Sequence, residues 1–206
     1  MFGRLRGLFT RLFTPIAAFL LRIGVTPDMV TIAGTLGVVV SSLVLFPTGH
    51  LFWGTMAIMV FAFSDVLDGN MARQRGITGP WGGFLDSTLD RVADGAVFAG
   101  LLAYLWTQDE VWGMGFALAC LVLGGVVPYA RAKAESLGMT ATVGIAERAD
   151  RLVLTLVAAG LVGLGVPDVV LVVVLGLLAL ASAITVVQRM ATVHRQAQAL
   201  TSGPAE

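Results

Sequence analysis

The sequence predicts an all-α integral membrane protein, six transmembrane helices preceded by an amphipathic interfacial helix. Three observations predict it. Hydrophobic residues make up 57% of the 206 and charged residues 13%, with a mean hydropathy of +0.88, whereas about a quarter of an ordinary soluble domain is charged. Six apolar stretches alternate with short polar turns, and at roughly 20 apolar residues per spanning helix they use nearly the whole chain. On that reading all thirteen Lys and Arg residues fall on one side of the membrane. No room remains for a separate soluble domain, so residues 1–206 are one membrane domain with a six-helix bundle over 27–195.

Residues 2–23 place Phe2, Leu5, Leu8, Phe9, Leu12, Phe13, Ile16 and Phe19 at helical spacing beside Arg4, Arg6 and Arg11. Such a helix sinks its apolar face into the acyl boundary and turns its arginines to anionic headgroups. Pro15 can kink it. No small-residue cleavage site follows a compact apolar core, so the segment is not read as a removable signal. Thr26 is the expected N-cap and Pro27 the first helical residue of a first span over 27–46. PTGH at 47–50 turns the chain into a second span, 51–73, and GITGPWG at 76–82 reads as a tight loop before a third, 83–106. TQDE at 107–110 precedes a fourth span, 111–136. LGMTATVG at 137–144 is the longest uncharged connection, leading to a fifth span over 145–165 and, after VPD, a sixth over 169–195. Residues 196–206 have too little apolar content to pack and are expected to be disordered.

The basic residues orient the chain. Arg4, Arg6, Arg11 and Arg22 precede the first span. Arg73, Arg75 and Arg91 surround the second-to-third connection. Arg131, Lys133, Arg148 and Arg151 flank the fourth-to-fifth, and Arg189 and Arg195 end the sixth. The turns PTGH, TQDE and GVPD carry none. By the positive-inside rule the basic side, with both termini, is cytoplasmic, and the expected location is the plasma membrane. Cys120 is the only cysteine, so neither an intramolecular disulfide nor a cysteine metal motif is available. Nothing in the chain points to nucleic acid.

The chemistry concentrates between Asp65 and Asp90, in DVLDGNMARQRGITGPWGGFLDSTLD. Asp65 and Asp68 are three apart and Asp86 and Asp90 four apart, so each pair shares a helix face. Two such faces joined by a glycine-rich turn can converge on one or two hard divalent cations, for which carboxylate oxygens are the preferred ligands. A lone aspartate here would read as an intramembrane salt bridge to Arg73, Arg75 or Arg91. Asp94 lies one further turn along the face of Asp86 and Asp90 and reads as a supporting or structural group. Ionisable residues at this depth usually face a protein-lined, wet cavity.

The pattern Asp65-x2-Asp68-Gly69-x2-Ala72-Arg73-x8-Gly82-x3-Asp86-x3-Asp90 resembles, at each of its eight fixed positions over 26 residues, the signature of the CDP-alcohol phosphotransferase family. The resemblance implies a six-helix membrane enzyme, usually a homodimer, that moves a phosphatidyl group from CDP-diacylglycerol to an alcohol and releases CMP. It implies that Asp65, Asp68 and Asp86 ligate a pair of divalent cations, Mg2+ or Mn2+. Asp90 would contribute to the metal site and act as the catalytic base. Gly69, Ala72 and Gly82 would admit the nucleotide closely alongside Asp65 and Asp68, and Arg73 would pair with phosphate.

Over nearly its whole length the chain further resembles the actinobacterial branch of that family that makes phosphatidylinositol phosphate, in TPIAAFLLRIGVTPDMVT, FSDVLDGNMAR, LDSTLDRVADG, RAKAESLG, ERADRL and VVQRM. This implies inositol 1-phosphate as acceptor, with a basic pocket matched here by Arg131, Lys133, Arg148, Arg151 and Arg189. In the branch's pattern lysine comes first and arginine two residues later, whereas here Arg131 precedes Lys133. Two other readings stay open. One is a phosphatidylglycerol phosphate synthase taking glycerol 3-phosphate. The other is a divalent-cation transporter, against which stand the absence of a polar trail to the far surface and of an inverted repeat of the motif.

Overall fold

The computed structural model describes residues 14–76 and 79–201, and all regular structure among them is helical. Helix α1 covers residues 14–22, followed by α2 (Pro27–Leu45), α3 (Leu51–Ala62), α4 (Ser64–Arg75), α5 (Pro80–Thr107), α6 (Val111–Ser136), α7 (Arg148–Gly163) and α8 (Val169–Thr201). Most of the expected interfacial helix, residues 2–23, lies outside the described residues.

Four stretches, Pro27–Leu45, Leu51–Arg75, Val111–Ser136 and Val169–Leu200, are long and apolar enough to cross a membrane. This is a membrane protein. The other two long helices differ for physical reasons. Helix α5 has 28 residues but carries Asp86, Asp90, Arg91 and Asp94 within residues 80–94, and α7 has only 16, about 24 Å of rise.

Helix α5 packs on α2 and α6, α8 on α6 and α7, and α3 on α2 and α7. Val38, Phe46, Ile58, Phe98, Leu101, Leu105, Leu171 and Leu175 fill the centre of the bundle, while Leu36, Val40, Val122, Leu177 and Leu180 stay exposed on its outside. An apolar exterior is what a lipid solvent requires, and it removes the hydrophobic drive between helices, so small residues set how closely they approach. Gly100 of α5 lies against the Ser42 carbonyl of α2, where any Cβ would collide. Trp53, Trp106 and Trp112 are exposed near the 47–50 and 107–110 turns, where amphipathic rings favour a membrane–water boundary.

Helix boundaries follow the local chemistry. The Thr26 side chain accepts from Met29 N at 3.3 Å, and Pro27 opens α2 as expected. Two expectations are corrected, and the second span stands with an interruption. Leu51–Arg75 is one apolar stretch, interrupted at the single residue Phe63, whose φ of −67° and ψ of −14° are still right-handed helical; Ser64 seats against Gly34 of α2, which has no side chain to block it. Helix α5 starts at Pro80 rather than residue 83, so residues 80–82 of the expected loop are helical, proline being well suited to a first turn. Residues 196–201, expected to be disordered, extend α8. Gln196 holds them in place, because its Oε1 accepts from Thr140 N at 3.0 Å and its Nε2 donates to Thr140 O at 2.7 Å.

Candidate active site

Helix α4 carries Asp65, Asp68, Gly69, Ala72 and Arg73, ends at Gly76, and faces the first half of α5 with Gly82, Asp86 and Asp90. A cavity of about 670 Å³ lies between them, lined by Thr31, Asp65, Asp68, Gly69, Ala72, Gly82 and Asp86, with Asp28 and Trp81 among its other walls. Trp81 Nε1 donates to Asp28 Oδ2 at 2.9 Å, tying the first turn of α5 to that of α2. On its far side α4 is held to α1, where Gln74 Nε2 donates to Thr14 O at 3.2 Å.

A second cavity, of about 350 Å³, adjoins the first. Asp65 lines both. Asp90 and Arg148 also reach the second cavity, but its remaining walls are mostly apolar, among them Val38, Ile58, Phe61, Val97 and Leu156. One end of the site therefore suits a polar, charged molecule and the other an alkyl chain.

The carboxylates differ in their partners. Asp65 and Asp86 are exposed to the first cavity, whereas Asp68 is buried and accepts from Thr31 Oγ1. Asp90 Oδ1 lies 2.7 Å from Arg148 Nη2, and its Oδ2 lies 3.6 Å from Arg91 Nη2. Among the described residues no three His, Cys, Asp or Glu side chains are grouped closely enough to ligate one ion as they stand. The donor set nonetheless fits a hard divalent cation, being four carboxylates with two of them open to the cavity. The salt-bridge alternative is realised in part, with Arg91 and the distant Arg148 rather than Arg73 or Arg75. Arg73 is exposed and reaches back over Gly69.

The predicted basic residues differ in their partners. Arg148 Nε donates to Asp94 Oδ1 at 3.0 Å, and Arg151 Nη2 lies 3.9 Å from Asp94 Oδ2. Arg151 is 1% exposed, and its Nε and Nη1 have no hydrogen-bond partner. Arg189 is buried and donates to the carbonyls of Val127 and Val143. Arg131 pairs with Glu135 at 2.8 Å, and Lys133 is exposed. Helix α8 delivers Arg148 to the site. Its Thr185 Oγ1 accepts from Ile145 N and Ala146 N at 3.1 and 3.2 Å, and with Arg189 and Gln196 it pins the 137–147 connection that leads into α7.

A family profile described as CDP-alcohol phosphatidyltransferase matches residues 24–144, which contain the whole of α4 and α5. The chain belongs to the CDP-alcohol phosphatidyltransferase family. A phosphatidylinositol phosphate synthase of Streptomyces avermitilis is 52% identical over 198 residues, covering 93% of this chain and 81% of the relative. The crystal structure of the Mycobacterium tuberculosis phosphatidylinositol phosphate synthase with CDP-DAG bound superposes with a TM-score of 0.85 at 44% identity, over 89% of this chain and 94% of that one. The same enzyme in complex with manganese and citrate gives 0.84 at 44% identity, over 88% of each chain.

Within this family frame, two contributors escape a signature read along the chain. Thr31, which holds Asp68, comes 37 residues earlier. Asp94 is visible as one more turn on the Asp86–Asp90 face, but its role as anchor for Arg148 depends on a residue 54 positions later.

Proposed function

We infer that this phosphatidyltransferase moves the phosphatidyl group of CDP-diacylglycerol to inositol 1-phosphate, giving phosphatidylinositol phosphate and CMP. The observation that carries the reading is the division of the site at Asp65. The carboxylates Asp65, Asp68 and Asp86 line a polar cavity with Gly69, Ala72 and Gly82, while Asp90 and Arg148 face an adjoining apolar one. An amphiphilic diphosphate fits across that division. The synthase relatives, and the neighbour that holds CDP-DAG, support the assignment.

Asp65, Asp68, Asp86 and Asp90 would hold two divalent cations, Mg2+ or Mn2+, a choice supported by the manganese complex of the neighbour. When bound, such ions neutralise the charge that develops on a diphosphate and its leaving group. The chain's own residues do the rest. Gly69, Ala72 and Gly82 let the backbone approach the nucleotide, and Arg73 offers a guanidinium to its phosphates. Arg148 binds the phosphate of the acceptor, with Arg151 buried beside it at Asp94, and Arg131, Lys133 and Arg189 supply further positive charge toward α6 and α8. Asp90 takes the proton of the attacking hydroxyl, as a carboxylate within hydrogen-bond reach can.

The same reading takes α5 and α7 as the third and fifth of six spans, puts both termini and the site on the cytoplasmic face of the plasma membrane, and pairs the chain as a homodimer. Cysteine-accessibility labelling of residues in the 107–110 turn and native mass spectrometry test these points. The reaction itself is tested by CMP release from CDP-diacylglycerol, with Mg2+ or Mn2+, offering inositol 1-phosphate, glycerol 3-phosphate, free inositol or no acceptor. Release with inositol 1-phosphate alone is the expected result, and a preference for glycerol 3-phosphate overturns the acceptor assignment.

A further inference from the structure

One carboxylate outside the signature, Asp94, anchors Arg148 through its Nε, at 3.0 Å from Oδ1 and 3.4 Å from Oδ2. Arg91 and Arg151 approach the same carboxylate at 4.0 and 3.9 Å. Asp94 is 3% exposed, so this end of the arrangement is fixed. The other end of the guanidinium reaches across to Asp90, Nη2 to Oδ1 at 2.7 Å, and it lines the cavity that Asp90 and Asp65 share. The Arg148 side chain is 32% exposed. An incoming solute therefore meets the Asp90 end of Arg148 and not the Asp94 end.

With Arg148 Nη2 2.7 Å from Asp90 Oδ1, the guanidinium stands where a hydroxyl giving its proton to that oxygen would have to sit. A guanidinium, however, matches two phosphate oxygens at once, and a dianion competes well for it. We propose that Asp94 is a positioning residue that makes Arg148 a latch on Asp90, closed until the phosphate of the acceptor draws the guanidinium away. The proposal rests on the functional reading above and deepens it. It explains how a bound CDP-lipid would be protected from water while it waits. In the unwanted reaction a water oxygen bonds to the phosphatidyl phosphorus, and the bond from that phosphorus to the bridging diphosphate oxygen breaks. CMP leaves with that oxygen, Asp90 takes the water proton, and the lipid product is phosphatidic acid. It also makes the acceptor's phosphate a condition of reaction as well as a handle, since an unphosphorylated polyol leaves the latch closed.

The test is CMP release by the purified full chain with CDP-diacylglycerol and Mg2+ but no alcohol. Wild type should hydrolyse at background, and millimolar inorganic phosphate should raise its rate. Arg148→Gln should hydrolyse faster without phosphate by about tenfold to a hundredfold, the factor corresponding to one charge-assisted hydrogen bond, and should gain nothing more from phosphate. Asp94→Asn should also hydrolyse faster, yet raise the KM for inositol 1-phosphate less than Arg148→Gln does, because its guanidinium is still present. A residue that only binds the acceptor would raise KM and leave acceptor-free hydrolysis at background. An Arg148→Gln protein that binds CDP-diacylglycerol as wild type does and hydrolyses it no faster overturns the latch. If that variant does not fold, wild type decides the matter, and a rate unmoved by inorganic phosphate overturns it. Wild type that releases no CMP even with inositol 1-phosphate overturns instead the functional reading.

Discussion

Replacing Asp94 with alanine removes a carboxylate that faces Arg91, Arg148 and Arg151 together, and the cost follows from where those arginines are left. Arg148 is a third exposed and can turn to water. Arg151 is 1% exposed, already has two nitrogens without partners, and has nowhere to turn. Deleting one side of a buried ion pair costs about 3–5 kcal/mol, because the other charge stays buried without compensation. At roughly 2–4 °C per kcal/mol for a chain of 150–250 residues, Asp94→Ala should melt about 6–20 °C below wild type. Replacing both partners with apolar groups is often close to neutral, so Asp94→Ala combined with Arg151→Met should recover a substantial part of that loss. The assay is thermal unfolding of the purified protein in detergent micelles, followed by tryptophan fluorescence. A single variant within about 1 kcal/mol of wild type, or a double variant no more stable than the single, would refute this account of how the arginines are held.

Three further outcomes follow from the packing and the site. Gly100→Ala places a methyl group against the Ser42 carbonyl and 3.3 Å from the Phe46 ring. Helices α2 and α5 must then part at a cost of about 1–3 kcal/mol, measurable as a lower melting temperature. Thr31→Val keeps the side-chain volume but removes the hydroxyl that donates to Asp68. Loss of such an orienting partner should raise the Mg2+ or Mn2+ concentration for half-maximal CMP release by about 10–100-fold, and an unchanged metal requirement would assign Thr31 a purely structural part. Asp90→Asn should lower turnover by about 10²–10⁴-fold, the range of general-base catalysis. Its binding of CDP-diacylglycerol in calorimetry should stay near wild type, and full activity would remove Asp90 as the base.

Local signals carried most of the fold. Val111–Ser136 begins and ends where hydropathy and the flanking polar turns put it, and Thr26-Pro27 opens α2 as capping chemistry requires. The interruption at Phe63 left no such mark. Neither proline nor glycine stands there, and the contact beside it is tertiary, Ser64 seated on a glycine 30 residues earlier in the chain. The helical residues 196–201 escaped notice for a similar reason, being held by Thr140, 56 positions away. In the site, the regular spacing of Asp65, Asp68, Asp86 and Asp90 marked the carboxylates as a group. The partners that distinguish them, Thr31 for Asp68 and Arg148 for Asp90, lie on helices α2 and α7, and no periodicity links those helices to α4 and α5.

Asp65 lines both the polar cavity and the apolar one, so the two solvents of this protein meet at a partition beside a single carboxylate. Extracting an acyl chain from a bilayer costs about 0.8 kcal/mol for every methylene exposed to water, and a soluble enzyme must meet that cost before any bond can change. Here the reacting phosphorus can come to the partition while the tails stay in an oily medium. The lipid need cross no phase boundary, because the boundary has been brought to it.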